Sequence, residues 1–329
     1  MTGGSAVRGD PRRRHLAALL AGTLATGCTS AAPDVKPSQV TVRIATAMSG
    51  GGFLPLANHL AGVFRQTLPH LTIETVSSAG GVANIEALQR GDADLGLAFA
   101  DVTYLSFQGR WRPGEAPYDR LRAVAVMQLT PVQLVVRQHS HIRDVADLRG
   151  HRVGVGPPGS GTAVTADLVL TAFGVKPTDV RAETLPFKDA ADRMIDGTLD
   201  AMFDDAIYPA EAILTAVRAG ARLLPLHGVP IERLRHQYPF FRRTTIPRGA
   251  YLGATSEVHT IGVDSLLICR QGLDEGLVYD LTRVFFEALP SQPFLQDALR
   301  FMDLDQAPAT PIPLHEGAAR YYRQRELMR

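Results

Sequence analysis

A chain of 329 residues, 45% hydrophobic and 20% charged, is long enough for two cores and excludes a disordered or membrane-spanning protein. Its formal net charge of +1 is uneven: the first 27 residues hold four Arg against one Asp. The near-neutral remainder has no electrostatic footprint for a nucleic acid, and two cysteines exclude a disulfide framework.

Residues 1–27 read as an export signal. Arg12, Arg13 and Arg14 are followed by an apolar run from Leu16 to Leu24, roughly half the length of a spanning helix. The run ends in Leu24-Ala25-Thr26-Gly27-Cys28, which resembles a bacterial lipobox with its Leu one place early. Lipid attachment at Cys28 is expected, with plain cleavage and a chance Cys as the alternative. The Arg pair also permits twin-arginine export. Residues 28–39 are rich in Ser, Pro and Ala without apolar periodicity and read as a tether.

Strand and helix patterns then alternate. Val42 to Ala47 is strand-like, and Leu54 to Leu68 carries Leu56, Leu60, Val63 and Phe64 at helical spacing. Leu71 to Val76 reads as a strand, Ala83 to Arg90 as a helix closed by Gly91, and Ala93 to Phe99 as a buried strand. A second set follows: strands at Val132 to Val136, Arg152 to Val155, Val180 to Thr184 and Leu199 to Phe203. Its helices run from Thr162 to Phe173 and from Asp189 to Ile195. Tyr279 to Leu289 and Leu314 to Arg325 read as further amphipathic helices, and Cys269 lies in an apolar run as a small buried hydrophobe. The repeated pattern predicts two similar α/β lobes built on parallel sheets.

Three Gly-rich segments fall where a strand ends and a helix begins: Ser49-Gly50-Gly51-Gly52, Ser77-Ser78-Ala79-Gly80-Gly81, and Gly156-Pro157-Pro158-Gly159-Ser160-Gly161-Thr162. Helix starts offer free N–H groups, Gly admits close approach, and Ser or Thr adds a hydroxyl. Each loop alone reads as a tight turn with a helix cap. Three together point to a ligand cleft beyond the strand ends, suited to a carboxylate or similar anion.

Several chemistries are excluded. Gly161 is followed by Thr where a P-loop needs Lys, and no Gly-x-Ser-x-Gly elbow or dinucleotide fingerprint occurs. His139 and His141 stand without further ligands and read as exposed polar residues, so neither a metal nor a cofactor is expected. Asp204 and Asp205 follow the strand ending at Phe203. Strand alternation allows one of them to face a cleft, where it would accept a hydrogen bond from an ammonium. No convergent acid, base or nucleophile set appears, so the chain is not read as an enzyme.

From about Val42 to Tyr322 the chain resembles the TAXI-type solute receptors of TRAP transporters. The likeness is carried by Gly156 to Thr162 with the preceding Asp147-Leu148-Arg149-Gly150, and by Gly80-Gly81-Val82-Ala83-Asn84. Gly91-Asp92-Ala93-Asp94-Leu95, Arg248 to Gly253 and Ile312 to Ala318 add to it. The resemblance implies a two-lobed, periplasmic-binding-protein-like (type II) α/β fold with a two-strand hinge. The lobes would comprise 40–128 with 252–329, and 129–251. It also implies a TRAP permease partner, and as ligand a small carboxylate or an amino acid such as glutamate. The binding residues expected are Ser49, Gly50, Gly51, Ser78, Gly80, Gly81, Ser160, Gly161, Thr162, Asp204 and Tyr251.

The sequence departs from the family where Gly51-Gly52-Phe53-Leu54-Pro55 replaces a Gly-Gly-Thr-Tyr-Tyr type segment, and where Ala250 replaces Thr. Asp204-Asp205-Ala206-Ile207-Tyr208-Pro209 replaces an uncharged segment with Gly-His-Pro. Lost hydroxyls and gained carboxyls favour a ligand with an amine or an apolar portion over a plain dicarboxylate. A sensor serving a membrane signalling partner, or an enzyme on the same two-lobed fold, are the alternatives.

Overall fold

The apolar alternation read from the sequence becomes strands and covering helices in the computed structural model, which describes residues 1, 40–47, 52–112, 114–251 and 256–326. Residues 2–39, which hold the expected export segment, Cys28 and the expected tether, lie outside the described residues, as do Ser49, Gly50 and Gly51. The first half contains β1 (Val40–Ala45), α1 (Phe53–Thr67), β2 (Leu71–Val76), α2 (Gly81–Arg90), β3 (Leu95–Phe99), α3 (Ala100–Phe107) and β4 (Leu121–Val136). The second contains β5 (Arg152–Gly154), α4 (Gly161–Ala172), β6 (Arg181–Glu183), α5 (Phe187–Ile195), β7 (Ala201–Asp205), α6 (Glu211–Arg218), β8 (Arg222–Leu224), α7 (Val229–Gln237) and β9 (Phe241–Ile246). The chain returns through β10 (Val258–Arg270) and ends in α8 (Glu275–Ala288), α9 (Pro293–Ala298) and α10 (Glu316–Gln324).

The two halves use the same strand order. The first is β2-β1-β3-β10-β4, with β1 parallel to β2 and β3, and β10 antiparallel to its neighbours. The second is β6-β5-β7-β4-β8, with β5 parallel to β6 and β7, and β4 antiparallel to β7 and β8. In each, a strand from the other side of the crossover enters between the third and fourth strands.

An Arg–Asp clasp repeats as well. Arg43 on β1 donates its backbone N–H (2.8 Å) and Nε (3.1 Å) to Asp94 Oδ2, and its Nη2 to the Gly91 carbonyl. Arg152 on β5 donates in the same way to Asp200 Oδ2 (3.0 and 3.1 Å) and to the Gly197 carbonyl. In both halves the Gly ends a helix in the left-handed region, and the Asp precedes the third strand. Charge-assisted bonds of this kind fix the first strand against the third.

Strands β4 and β10 form the two-strand hinge. Residues up to Pro131 on β4 pair with β10, and Val132 to Val136 pair with β7. The change of partner falls at Pro131, which has no N–H to give to a ladder. Gly262 lies opposite, and a Cβ there would sit 2.6 Å from Leu129 Cγ. The strand expected at Val132 to Val136 is therefore the end of a 16-residue strand. Its polar Gln128 stays inside the sheet because the side-chain amide donates to the Ala298 carbonyl at 2.8 Å.

Packing follows the apolar stripes. On α1, Leu56, Leu60 and Phe64 are buried, and on α10 the Tyr322 hydroxyl donates to the Val124 carbonyl at 2.8 Å. Cys269 is buried, free and held as the thiol by loss of hydration. Among the described residues, no helix is long and apolar enough to cross a membrane.

Candidate functional site

The carboxyl ends of the strands and the starts of α2 and α4 face one another across a cleft of about 620 Å³. From the loops come Gly80, Gly81, Ser160, Gly161 and Thr162. Ser160 caps α4: its Oγ accepts from the Ala163 N–H at 3.3 Å and donates to the Pro157 carbonyl at 2.7 Å. Phe53, Phe99, Phe187 and Phe294 supply apolar walls, and the Phe53 and Phe99 rings pack at a tilt of 51° with centroids 5.0 Å apart.

The halves touch directly. The Val82 N–H, in the first turn of α2, donates to the Gly159 carbonyl at 3.1 Å. Thr165 Oγ1 on α4 donates to Asp101 Oδ2 on α3 at 2.7 Å. Arg300 donates to the Tyr208 carbonyl, and the Tyr208 and Phe301 rings pack at 5.3 Å. Gly161 lies so close to Phe99 that a Cβ would fall 2.3 Å from its Cδ2. The lobes are thus closed on the cleft, and one free donor of α2 is already taken by the opposite lobe.

The floor is acidic. Strand β7 runs two residues past the expected end, so Asp204 and Asp205 belong to the strand. They are 4% and 7% exposed, and both line the cleft. Alternation does separate them, Asp204 toward Tyr251 and Asp205 toward Asp101 and Thr165. Both residues border the cleft, but the Asp205 carboxyl oxygens are sealed from it against Asp101 and Thr165, which leaves the Asp204 carboxyl to face it. Burial alone pushes the Asp204 carboxyl up to about 7, and burial with the neighbouring carboxylates Asp101 and Asp204 raises Asp205 well above the usual range.

Gly80, Gly81, Ser160, Gly161, Thr162 and Asp204 are therefore gathered at one cleft. Two expected residues are not on its lining. The Ser78 hydroxyl is engaged with the Thr46 carbonyl (3.0 Å) and Asn84 Oδ1 (2.6 Å). Tyr251 donates to Gln133 Oε1 at 2.6 Å and accepts from the Ala210 N–H at 3.0 Å, beneath the floor. Sequence reading overlooked Gln128, Thr130 and Ser265 of the hinge strands, and Arg300 at the rim. The hinge residues left a signal, since each is a polar residue inside a strand. Among the described residues, no group of three His, Cys, Asp or Glu could hold a metal ion.

The model of the NMT1-like family matches residues 44–325. Among solved structures, a protein from Bordetella bronchiseptica RB50 is 17% identical with a TM-score of 0.53, over 87% of this chain and 98% of that one. A Xanthomonas citri protein bound to ATP is 13% identical with a TM-score of 0.52, over 88% and 99%. A protein described as a periplasmic transporter is 14% identical with a TM-score of 0.52, over 88% and 95%. At these identities the likeness is one of fold, and the fold is that of the periplasmic binding proteins.

Proposed function

The chain belongs to the NMT1-like family, and on that premise we propose that it is an exported receptor which captures a small organic solute and delivers it to a membrane permease. The observation that carries this reading is the closed cleft of about 620 Å³, lined from both lobes at the carboxyl ends of their strands. Binding without chemistry accords with the family and with the fold. The lobes, 40–128 with 252–329 and 129–251, rotate about β4 and β10. Capture in an open cleft is followed by closure and docking of the closed form.

The finer assignment is to the TAXI type of TRAP receptor, supported by Gly156 to Thr162 and the other quoted segments. Its solute is a small carboxylate or an amino acid. The basic and apolar stretch of 1–27 supports export, and Cys28 supports lipid anchoring outside the cytoplasmic membrane.

A thermal-shift screen against amino acids, amines and organic acids tests the receptor reading. A solute at 100 times its dissociation constant stabilises the protein by about 2.7 kcal/mol. The expected result is a clear rise for one solute class, lost in Thr162→Trp, which fills the cleft, with the unliganded variant still folded by circular dichroism. A screen with no shift, or a shift that survives Thr162→Trp, overturns the site.

A further inference from the structure

We propose that the solute carries a protonated primary or secondary amine, and that this ammonium seats on the carboxyl of Asp204. The inference deepens the receptor reading and rests on it.

The carrying observation is a contrast between two buried acids. Asp101 is 0% exposed, yet both its oxygens are satisfied: Oδ1 accepts from the Val102 N–H at 2.6 Å and Oδ2 from Thr165 Oγ1 at 2.7 Å. Asp204 is 4% exposed and lines the cleft, and neither a hydrogen bond nor a cation offsets the burial of its carboxyl. Buried polar groups in proteins are as a rule paired, so a buried acceptor left open on a cleft lining marks where a ligand donor belongs.

The chain supplies no cation to fill that place. Arg300 is the one Lys or Arg among the described lining residues, and its guanidinium is committed to Asp297 and the Tyr208 carbonyl. A ligand carboxylate at the floor would meet Asp204 and Asp205 at close range with no opposing charge. An ammonium brings N–H donors that the two oxygens of the Asp204 carboxyl can accept. A quaternary ammonium brings none. The phenylalanine walls hold the apolar body of the solute.

Proton release follows from the same geometry. The groups facing the acid pair are Asp101 from α3, Thr162 and Thr165 from α4, and Tyr251 behind Asp204. In the empty cleft burial favours the protonated acids, and an arriving ammonium favours the carboxylates.

Isothermal titration calorimetry of the full chain tests this with 2-phenylethylamine, its trimethylammonium analogue, and 3-phenylpropanoate. Buffers of different ionisation enthalpy report the proton count. The expected result is binding of the primary amine with proton release, weakened about tenfold or more by Asp204→Asn. The unliganded variant should melt no lower than the parent at pH 8, which separates the role from a structural one. Tighter binding of 3-phenylpropanoate, equal binding of the quaternary analogue, or unchanged affinity in Asp204→Asn overturns the inference. Binding of none of the three overturns it too, and the receptor reading is then decided by the thermal-shift screen.

Discussion

Asp101, Asp204 and Asp205 show how three carboxyls of similar burial differ in what they are ready to do. Asp101 is completed by a helix N–H and by Thr165, although burial still pushes it up to about 6. Asp204 has only burial acting on it and stands at about 7. Groups whose folded value lies above the ordinary one stabilise the fold fully below that ordinary value of 3.8. The contribution is lost as pH rises through the folded values. The melting temperature of the unliganded protein is therefore expected to fall between about pH 5 and 8. Asp204→Asn should flatten that slope, as measured by differential scanning fluorimetry. A slope that rises over this interval, or one unchanged in the variant, contradicts the assignment. Asp204 and Asp205 were legible as polar residues at a strand end. That both residues border one cleft was not, although alternation does turn the Asp205 carboxyl away from it, against Asp101 and Thr165. The tie between Asp101 and Thr165 spans 64 positions, and no local pattern encodes it.

At the scale of elements, the helices with sharp stops were the readable ones. Gly91, Gly174 and Gly197 adopt φ of 83°, 70° and 79° and end their helices where the sequence suggests. The hinge strands were not readable at full length. Each is divided between two sheets, so its burial pattern changes partway, and Pro131 and Gly262 look like interruptions when viewed locally. The shorter α6, α7, β8 and β9 were likewise missed, their apolar stripes too brief for a periodicity to stand out. The contact of Gly161 with Phe99 links an element to function. A Cβ at 2.3 Å from the ring cannot be accommodated without displacing Phe99 or parting the lobes. Gly161→Ala is expected to weaken solute binding by about tenfold or more while the far-ultraviolet circular dichroism spectrum stays that of the parent. Unchanged affinity would show that closure does not need this contact.

The molecule as a whole is a repeat of one plan. The strand order and the Arg43–Asp94 and Arg152–Asp200 clasps recur in both halves, and β4 and β10 exchange places between them. A shared plan places the helix starts of both halves against the same gap, which is why the Gly-rich loops converge although 75 or more residues separate Gly81 from the Gly156 loop. The cleft that results is acidic at its floor and aromatic on its walls, and it sets apart the solute read here from a plain dicarboxylate. The most direct measurement is native mass spectrometry of the full 329-residue chain, expressed in a bacterial host and isolated gently. The expected result is a bound small molecule whose fragmentation shows a basic primary or secondary amine, absent from Asp204→Asn. A bound diacid without an amine, or a protein that carries no solute in either form, would contradict it.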